Sequence, residues 1–194
     1  MTEHEIIPLF SVPIYKRKFD IPPLDLNWVD FKDNTRNQIG QNFDILSDER
    51  LLLLKHIVLD VTTDYFYNVL HSDPKIEIYI TDSWLNRTYK GRAHHQHRHP
   101  NSVLSGVLYL EGDYFSTTFH TPNPSFFMYK HLENTHLNAE IFHVNCSKNE
   151  VIVFPSKAQH EVLEYTGETP RITLSWNTFI RGKINEWGAE RLTL

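Results

Sequence analysis

The hydrophobic pattern of this chain changes period at Pro74, from about 3.6 residues to 2, and that change constrains the fold more than any other feature. Before it, Leu54, Ile57, Val58, Val61, Tyr65, Val69 and Leu70 recur at three- and four-residue steps and form one apolar helical stripe. Ser47 offers an N-cap, and Asp48 and Glu49 put negative charge in the first turn, where the helix dipole favours it. His71-Ser-Asp-Pro74 ends the helix, because the residue before proline resists helical dihedrals. A stripe of this kind needs a sheet or another helix to cover it.

After Pro74 the chain reads as strands. They are Ile76–Thr81 continuing into Trp84–Tyr89, Val103–Leu110, Tyr114–His120, Ala139–Val144, Val151–Phe154, His160–Glu164 and Arg171–Phe179. Gly112-Asp113, Pro122-Asn-Pro124, Ser147-Lys-Asn149 and Tyr165 to Pro170 supply turns between them. Seven or eight short strands at this spacing predict an antiparallel sandwich, jelly roll or barrel, with the N-terminal helix on the outer face of one sheet. Upstream, Ile6–Tyr15 contains two prolines and reads as an edge strand or extended arm. Pro22–Asn27 is turn-like, and a short helix is expected from about Asn27 to Asn37.

A length of 194 residues suits one domain, 1–194, with an arm and helices over 1–75 and a β core over 76–182. The net charge of −5 and the lack of a basic stripe argue against a nucleic-acid partner. Cys146 is the single cysteine, so no disulfide forms within the chain and no cysteine-rich zinc module is present. It reads as a packed residue near a strand end. No apolar run approaches the ~20 residues that cross a bilayer, and Met1–Ile7 lacks the plan of a signal peptide. The expectation is a soluble cytoplasmic protein with no membrane partner.

Twelve histidines are out of proportion, and four of them lie between His94 and His99. On an extended backbone His97 and His99 point to the same side and can converge on one ion. His95 and His97 share that spacing, and a solvated polar turn before Pro100 is the bland alternative. His160 follows the apolar strand Val151–Phe154 and lies on a different strand from the first pair, as a third ligand would. Alone, such a histidine is more often a surface or hydrogen-bonded residue. In Arg171-Ile-Thr-Leu-Ser-Trp-Asn177, period 2 puts Arg171, Thr173, Ser175 and Asn177 on one face, with Ile172, Leu174 and Trp176 on the other. If the polar face lies inside a barrel, the unpaired Arg171 guanidinium costs several kcal/mol and needs an acid from the protein or from a ligand. If that face is exposed, it needs nothing. Tyr109 shares a face with Ser105 and Val107 and is a second contact for a carboxylate. Asn86 and Asn177 are candidates to orient a ligand or to satisfy buried backbone groups.

The order His97-x-His99, Tyr109, His160 and then Arg171, eleven residues on (171 − 160 = 11), resembles the iron(II)- and 2-oxoglutarate-dependent oxygenases. Within them, Trp84-Leu-Asn86, Gly91, His97-Arg-His-Pro-Asn-Ser102, Ser105-Gly-Val-Leu-Tyr109, Val153-Phe-Pro155, His160 and Arg171–Asn177 resemble a group of oxygenases without assigned substrates, known mainly from bacteria and phages. More distantly the strand arrangement resembles prolyl hydroxylases. The resemblance spans about residues 76–182, with an echo in Pro8–Tyr15. It implies a mainly β, double-stranded β-helix (jelly-roll) barrel with N-terminal helices packed on one sheet. It implies Fe(II) on His97, His99 and His160, and 2-oxoglutarate chelating the iron while Arg171 and Tyr109 hold its far carboxylate. Thr173, Asn86 and Asn177 complete the expected cosubstrate-binding set. Oxidative decarboxylation with O2 would yield succinate and hydroxylate a primary substrate, a small molecule or a protein side chain.

One departure matters. The superfamily has His-x-Asp or His-x-Glu where this chain has His97-x-His99. His99 is then a third imidazole ligand, offset by the dianionic cosubstrate, or a neighbour of the metal with water as the third ligand. The nearest downstream acid is Asp113. Two alternatives follow: a three-histidine, cupin-like metal dioxygenase that uses no 2-oxoglutarate, and a non-catalytic jelly-roll module that binds a metal or a ligand. In the module, His120, His131, His136 and His143 would form a recognition surface. Ser116–Asn138 reads as a lid over the barrel mouth or a homodimer contact, while its aromatic run Phe126-Phe-Met-Tyr129 more often serves structural packing.

Overall fold

The computed structural model describes residues 5–124, 129–184 and 192–194. Eleven strands among them form two antiparallel sheets. They are β1 (Tyr15–Lys18), β2 (Phe31–Asp33), β3 (Gln38–Gly40), β4 (Glu77–Thr88), β5 (His94–His97), β6 (Leu104–Glu111), β7 (Phe115–His120), β8 (Ile141–Cys146), β9 (Glu150–Pro155), β10 (His160–Val162) and β11 (Arg171–Arg181). The larger sheet runs β1-β9-β6-β11-β4-β3-β2 and the smaller β5-β10-β7-β8. From β4 onward the chain passes between the two sheets in the winding of a jelly roll, as expected. Ile76–Thr81 and its extended continuation Trp84–Tyr89 form one strand, β4. Its ladder with β11 is interrupted only by an irregularity at Asn177/Thr178.

Alternation along β11 decides what each face does. Ile172, Leu174 and Trp176 join Leu54, Ile57, Val58, Val61 and Tyr65 of the helix α1 (Leu52–Thr63) and its extension in one buried core. The helix therefore covers the outer face of the larger sheet. Trp176 is fully buried and its indole N–H donates to Thr62 Oγ1 at 3.1 Å. Across the strand, Gly106 of β6 pairs with Trp176, and a Cβ there would come within 2.0 Å of the indole. Glycine is required for that close approach. A second cluster, Tyr109, Phe115, Phe119, Ile152 and Phe154, fills part of the space between the sheets.

Two local expectations are corrected. Ser47 is not the helix cap: its hydroxyl donates to the Asp44 carbonyl, whereas the Asp48 carboxylate accepts from Arg50 N–H at the next turn. Helical structure starts with two short 3-10 turns, and after Thr63 it widens into a π-helical turn over Asp64–Val69. The helix expected at Asn27–Asn37 is absent; Phe31–Asp33 and Gln38–Gly40 form a hairpin at the edge of the larger sheet. Asn34 explains the difference, because its side chain accepts from Thr35 N–H and its own N–H reaches the Asn37 carbonyl, closing a turn. Of the expected arm Ile6–Tyr15 only Tyr15 enters a strand: β1 begins there, runs to Lys18 and pairs with β9 at the edge of the larger sheet. No helix among the described residues is long and apolar enough to cross a membrane.

Candidate metal centre and anion cleft

Three imidazoles meet between the sheets. β5 and β10 pair so that His97 lies opposite His160. His99, just beyond the end of β5, is held by its own N–H, which donates to the Ser156 carbonyl. One nitrogen from each of His97, His99 and His160 lies within 4.8 Å of the others, close enough to hold one ion. The His99 and His160 Nε2 atoms are 3.3 Å apart. Two of the rings are oriented through their other nitrogen: His97 Nδ1 is 2.7 Å from the His95 carbonyl, and His160 Nδ1 is 2.9 Å from the Ala158 carbonyl. A carbonyl can only accept, so Nδ1 carries the proton in both and Nε2 presents its lone pair.

Burial keeps these rings neutral. It pushes His160 down to about 3 and His99 to about 4, with neighbouring histidines adding to the effect and the Asp82 carboxylate opposing it at His99. His97 is also lowered, first by burial. Neutral imidazoles are the form that binds a metal. Asp82 on β4, rather than Asp113, is the acid whose charge reaches His99. Asp113 accepts from the N–H groups of Glu168 and Thr169, far from this duty.

The same cleft is lined by Trp84, Asn86, Thr88, Tyr109, Thr117, Arg171, Thr173 and Ser175 as well as the three histidines. Arg171 is 4% exposed and has no ion-pair partner among the described residues, and the cleft lining contains no Asp or Glu. Its guanidinium lies 4.9 Å from the centre of the Tyr165 ring, and Tyr165 is itself tied down by its hydroxyl to the Thr169 carbonyl at 2.6 Å. Burial lowers the Arg171 pKa, which marks a cation held away from water. Tyr109 is buried, with its hydroxyl 2.6 Å from Thr117 Oγ1. A permanent cation, neutral imidazoles and hydroxyls without an acid in the lining are the chemistry that could hold an anion beside a metal.

The cleft thus brings together His97, His99, His160, Arg171, Tyr109, Thr173 and Asn86. Asn177 stands apart: its Oδ1 accepts from Ser105 Oγ, which in turn contacts Ser156 Oγ. Asn86 is engaged on both sides, accepting from Asn37 Nδ2 at 3.2 Å and donating to Ser175 Oγ at 3.1 Å. Sequence reasoning missed Asn37 because it assigned that segment to a helix, and missed Tyr165 because it lies in a turn with no motif. His120 pairs with Glu161 and His143 with Thr118, while His136 is exposed. Among the described residues none of these joins a group able to hold an ion. Of the stretch expected to act as a lid or dimer contact, Phe126-Phe-Met128 lie outside the described residues. Cys146 ends β8 half-buried, its thiol pushed up to about 11 by burial, and is no nucleophile.

Comparison with known proteins addresses the fold and the family. Residues 82–177 match the family described as "Putative 2OG-Fe(II) oxygenase". Among solved structures, the chain is similar to an oxidoreductase of the 2OG-Fe(II) oxygenase family from Burkholderia pseudomallei, at 14% identity and a TM-score of 0.55 over 78% of this chain and 72% of that one. It is similar to HygX from Streptomyces hygroscopicus, solved with nickel and 2-oxoglutarate bound, at 13% identity and a TM-score of 0.54 over 79% and 74%. It is also similar to a Pseudomonas putida prolyl-4-hydroxylase, at 14% identity and a TM-score of 0.56 over 87% and 94%. At these identities the structures speak to the fold alone. No curated protein matches the sequence.

Proposed function

We propose, from the premise that residues 82–177 belong to the 2OG-Fe(II) oxygenase family, that this chain is a dioxygenase holding Fe(II) on His97, His99 and His160 and 2-oxoglutarate on Arg171. The observation that carries the reading is the pairing, in one cleft, of three convergent imidazoles with a buried arginine that has no acid of its own. The donor set suits Fe(II), since imidazole is an accepted ligand and three protein ligands leave positions open for exchangeable groups. Bound there, iron, 2-oxoglutarate and O2 supply oxidative decarboxylation to succinate and carbon dioxide, coupled to hydroxylation of a primary substrate.

The chain's own part is to hold and exclude. The His95 and Ala158 carbonyls keep the protons of His97 and His160 on Nδ1, leaving both Nε2 lone pairs for the metal. Arg171 supplies the charge that a carboxylate must meet, and the Tyr165 ring beneath it limits where the guanidinium can go. Tyr109 and Thr117 share one hydrogen bond and retain donor or acceptor capacity towards the cleft. Phe119 and Phe154 pack on the His160 ring and keep water from its back. The primary substrate would be a small molecule or a protein side chain.

His99 in place of a carboxylate favours one second reading, a three-histidine dioxygenase that binds its substrate directly. An anaerobic absorbance titration with Fe(II) and then 2-oxoglutarate separates the two. A charge-transfer band that requires both additions supports the 2-oxoglutarate reading; bound iron with no band overturns it in favour of the second.

A further inference from the structure

The cleft contains a fourth imidazole that the triad leaves unused. His94, at the start of β5, is half-buried, and its ring stacks on His97 with centroids 4.5 Å apart and planes 17° apart. It lines the cleft together with Arg171, Tyr109 and Thr117. His97 and His160 have one nitrogen committed to a carbonyl, and His99 Nε2 contacts His160 Nε2. The His94 ring nitrogens have no hydrogen-bond partner among the described residues.

A metal role for His94 is disfavoured on geometry. His94, His95 and His97 are near enough to one another to hold an ion, but they would have to take His97 from the first triad. With its Nδ1 turned to the His95 carbonyl, His97 has one lone pair to give and serves one ion. His95 is exposed, whereas His160 is buried, so the enclosed position belongs to the first group.

What remains is a half-buried N–H donor in a cleft with one fixed cation and no acid. His94 and Arg171 line the same cleft. An anion that meets Arg171 can also accept a hydrogen bond from His94. We propose that His94 is a binding residue for the dicarboxylate cosubstrate, donating a hydrogen bond to it alongside the ion pair from Arg171, with its ring face held in place by His97. The inference rests on the 2-oxoglutarate reading given above.

Two variants separate the N–H from the ring. His94→Phe keeps a ring to stack on His97 and removes the donor; His94→Gln keeps a donor and removes the ring. In Fe(II)-loaded protein titrated anaerobically with 2-oxoglutarate, His94→Phe is expected to weaken binding about tenfold, the usual scale for one hydrogen bond to a charged group. His94→Gln is expected to stay within about threefold of the parent, and Fe(II) affinity is expected to be unchanged in both. Unchanged 2-oxoglutarate affinity in His94→Phe overturns the proposal. So does a collapse of Fe(II) affinity in both variants, which would make His94 a ligand. Parent protein that binds Fe(II) but no 2-oxoglutarate overturns the oxygenase reading itself, an outcome visible before either variant is made.

Discussion

His97 and His160 stand directly across from one another as a cross-strand pair of β5 and β10, their rings 4.3 Å apart between centroids. The ladder of the smaller sheet therefore does what no local motif can: it brings a histidine from beyond Pro155 to the His97-x-His99 pair. The backbone hydrogen bonds that set that register also set the spacing of the candidate metal ligands.

Removal of His160 tests the centre. His160→Ala is expected to lower Fe(II) or Co(II) affinity by at least about a hundredfold, because loss of an outer-shell partner alone already costs about 10- to 100-fold. The far-ultraviolet spectrum is expected to stay that of the parent, since β10 keeps its backbone pairs with β5 and β7. Metal binding at parental affinity would remove His160 from the ligand set.

Arg171 is expected to act on the cosubstrate and not on the metal. Arg171→Ala should weaken 2-oxoglutarate about 10- to 100-fold, in line with about 1.5–3 kcal/mol for a hydrogen bond to a charged group. Fe(II) affinity, measured separately by competition with a chelating dye, should not change. Equal losses of both would point to general collapse of the cleft.

The buried imidazoles make the metal-free protein sensitive to mild acid. His94, His99 and His160 sit near 3, 4 and 3 when folded, against an ordinary value of 6.5. As pH falls below 6.5 the unfolded chain takes up protons that the folded chain refuses, so stability is full above 6.5 and declines towards pH 4. Urea midpoints of the metal-free protein between pH 7.5 and 5.5 should fall along that course, above most of the range in which carboxylates contribute. A flat profile would contradict it.

The outer core has its own test. Thr62→Val keeps the shape of the side chain but leaves the buried Trp176 N–H without its acceptor, a loss of about 1–3 kcal/mol in urea unfolding. Thr62→Ser should recover most of it. Metal affinity should be unaffected, because Thr62 lies on the helix side of the larger sheet.

Much of this was readable from residue order. The change of period at Pro74 separates the helix from the strands, and alternation in Arg171–Asn177 assigns Trp176 and Arg171 to opposite faces, where they are found. The His97-x-His99 spacing, His160 and Arg171 were readable as candidates, and it was their resemblance to the oxygenases that joined them into a metal and an anion site. The period and the alternation are legible because each depends on a spacing within one element.

The rest depends on contacts between strands. Nothing in the sequence chooses His97 over His95 as the partner of His160; the β5–β10 register does, through backbone hydrogen bonds of residues 63 apart (160 − 97 = 63). The same holds for Asn37, carried into the cleft by a hairpin that local propensity misassigns, and for Tyr165, whose ring lies against Arg171 with its hydroxyl donating to the Thr169 carbonyl and accepting from the Asp113 N–H. Local sequence determined which side chains each strand could offer to its two faces. Only the tertiary structure decided which of them share one cleft, since that depends on pairing between strands whose partners the sequence does not name.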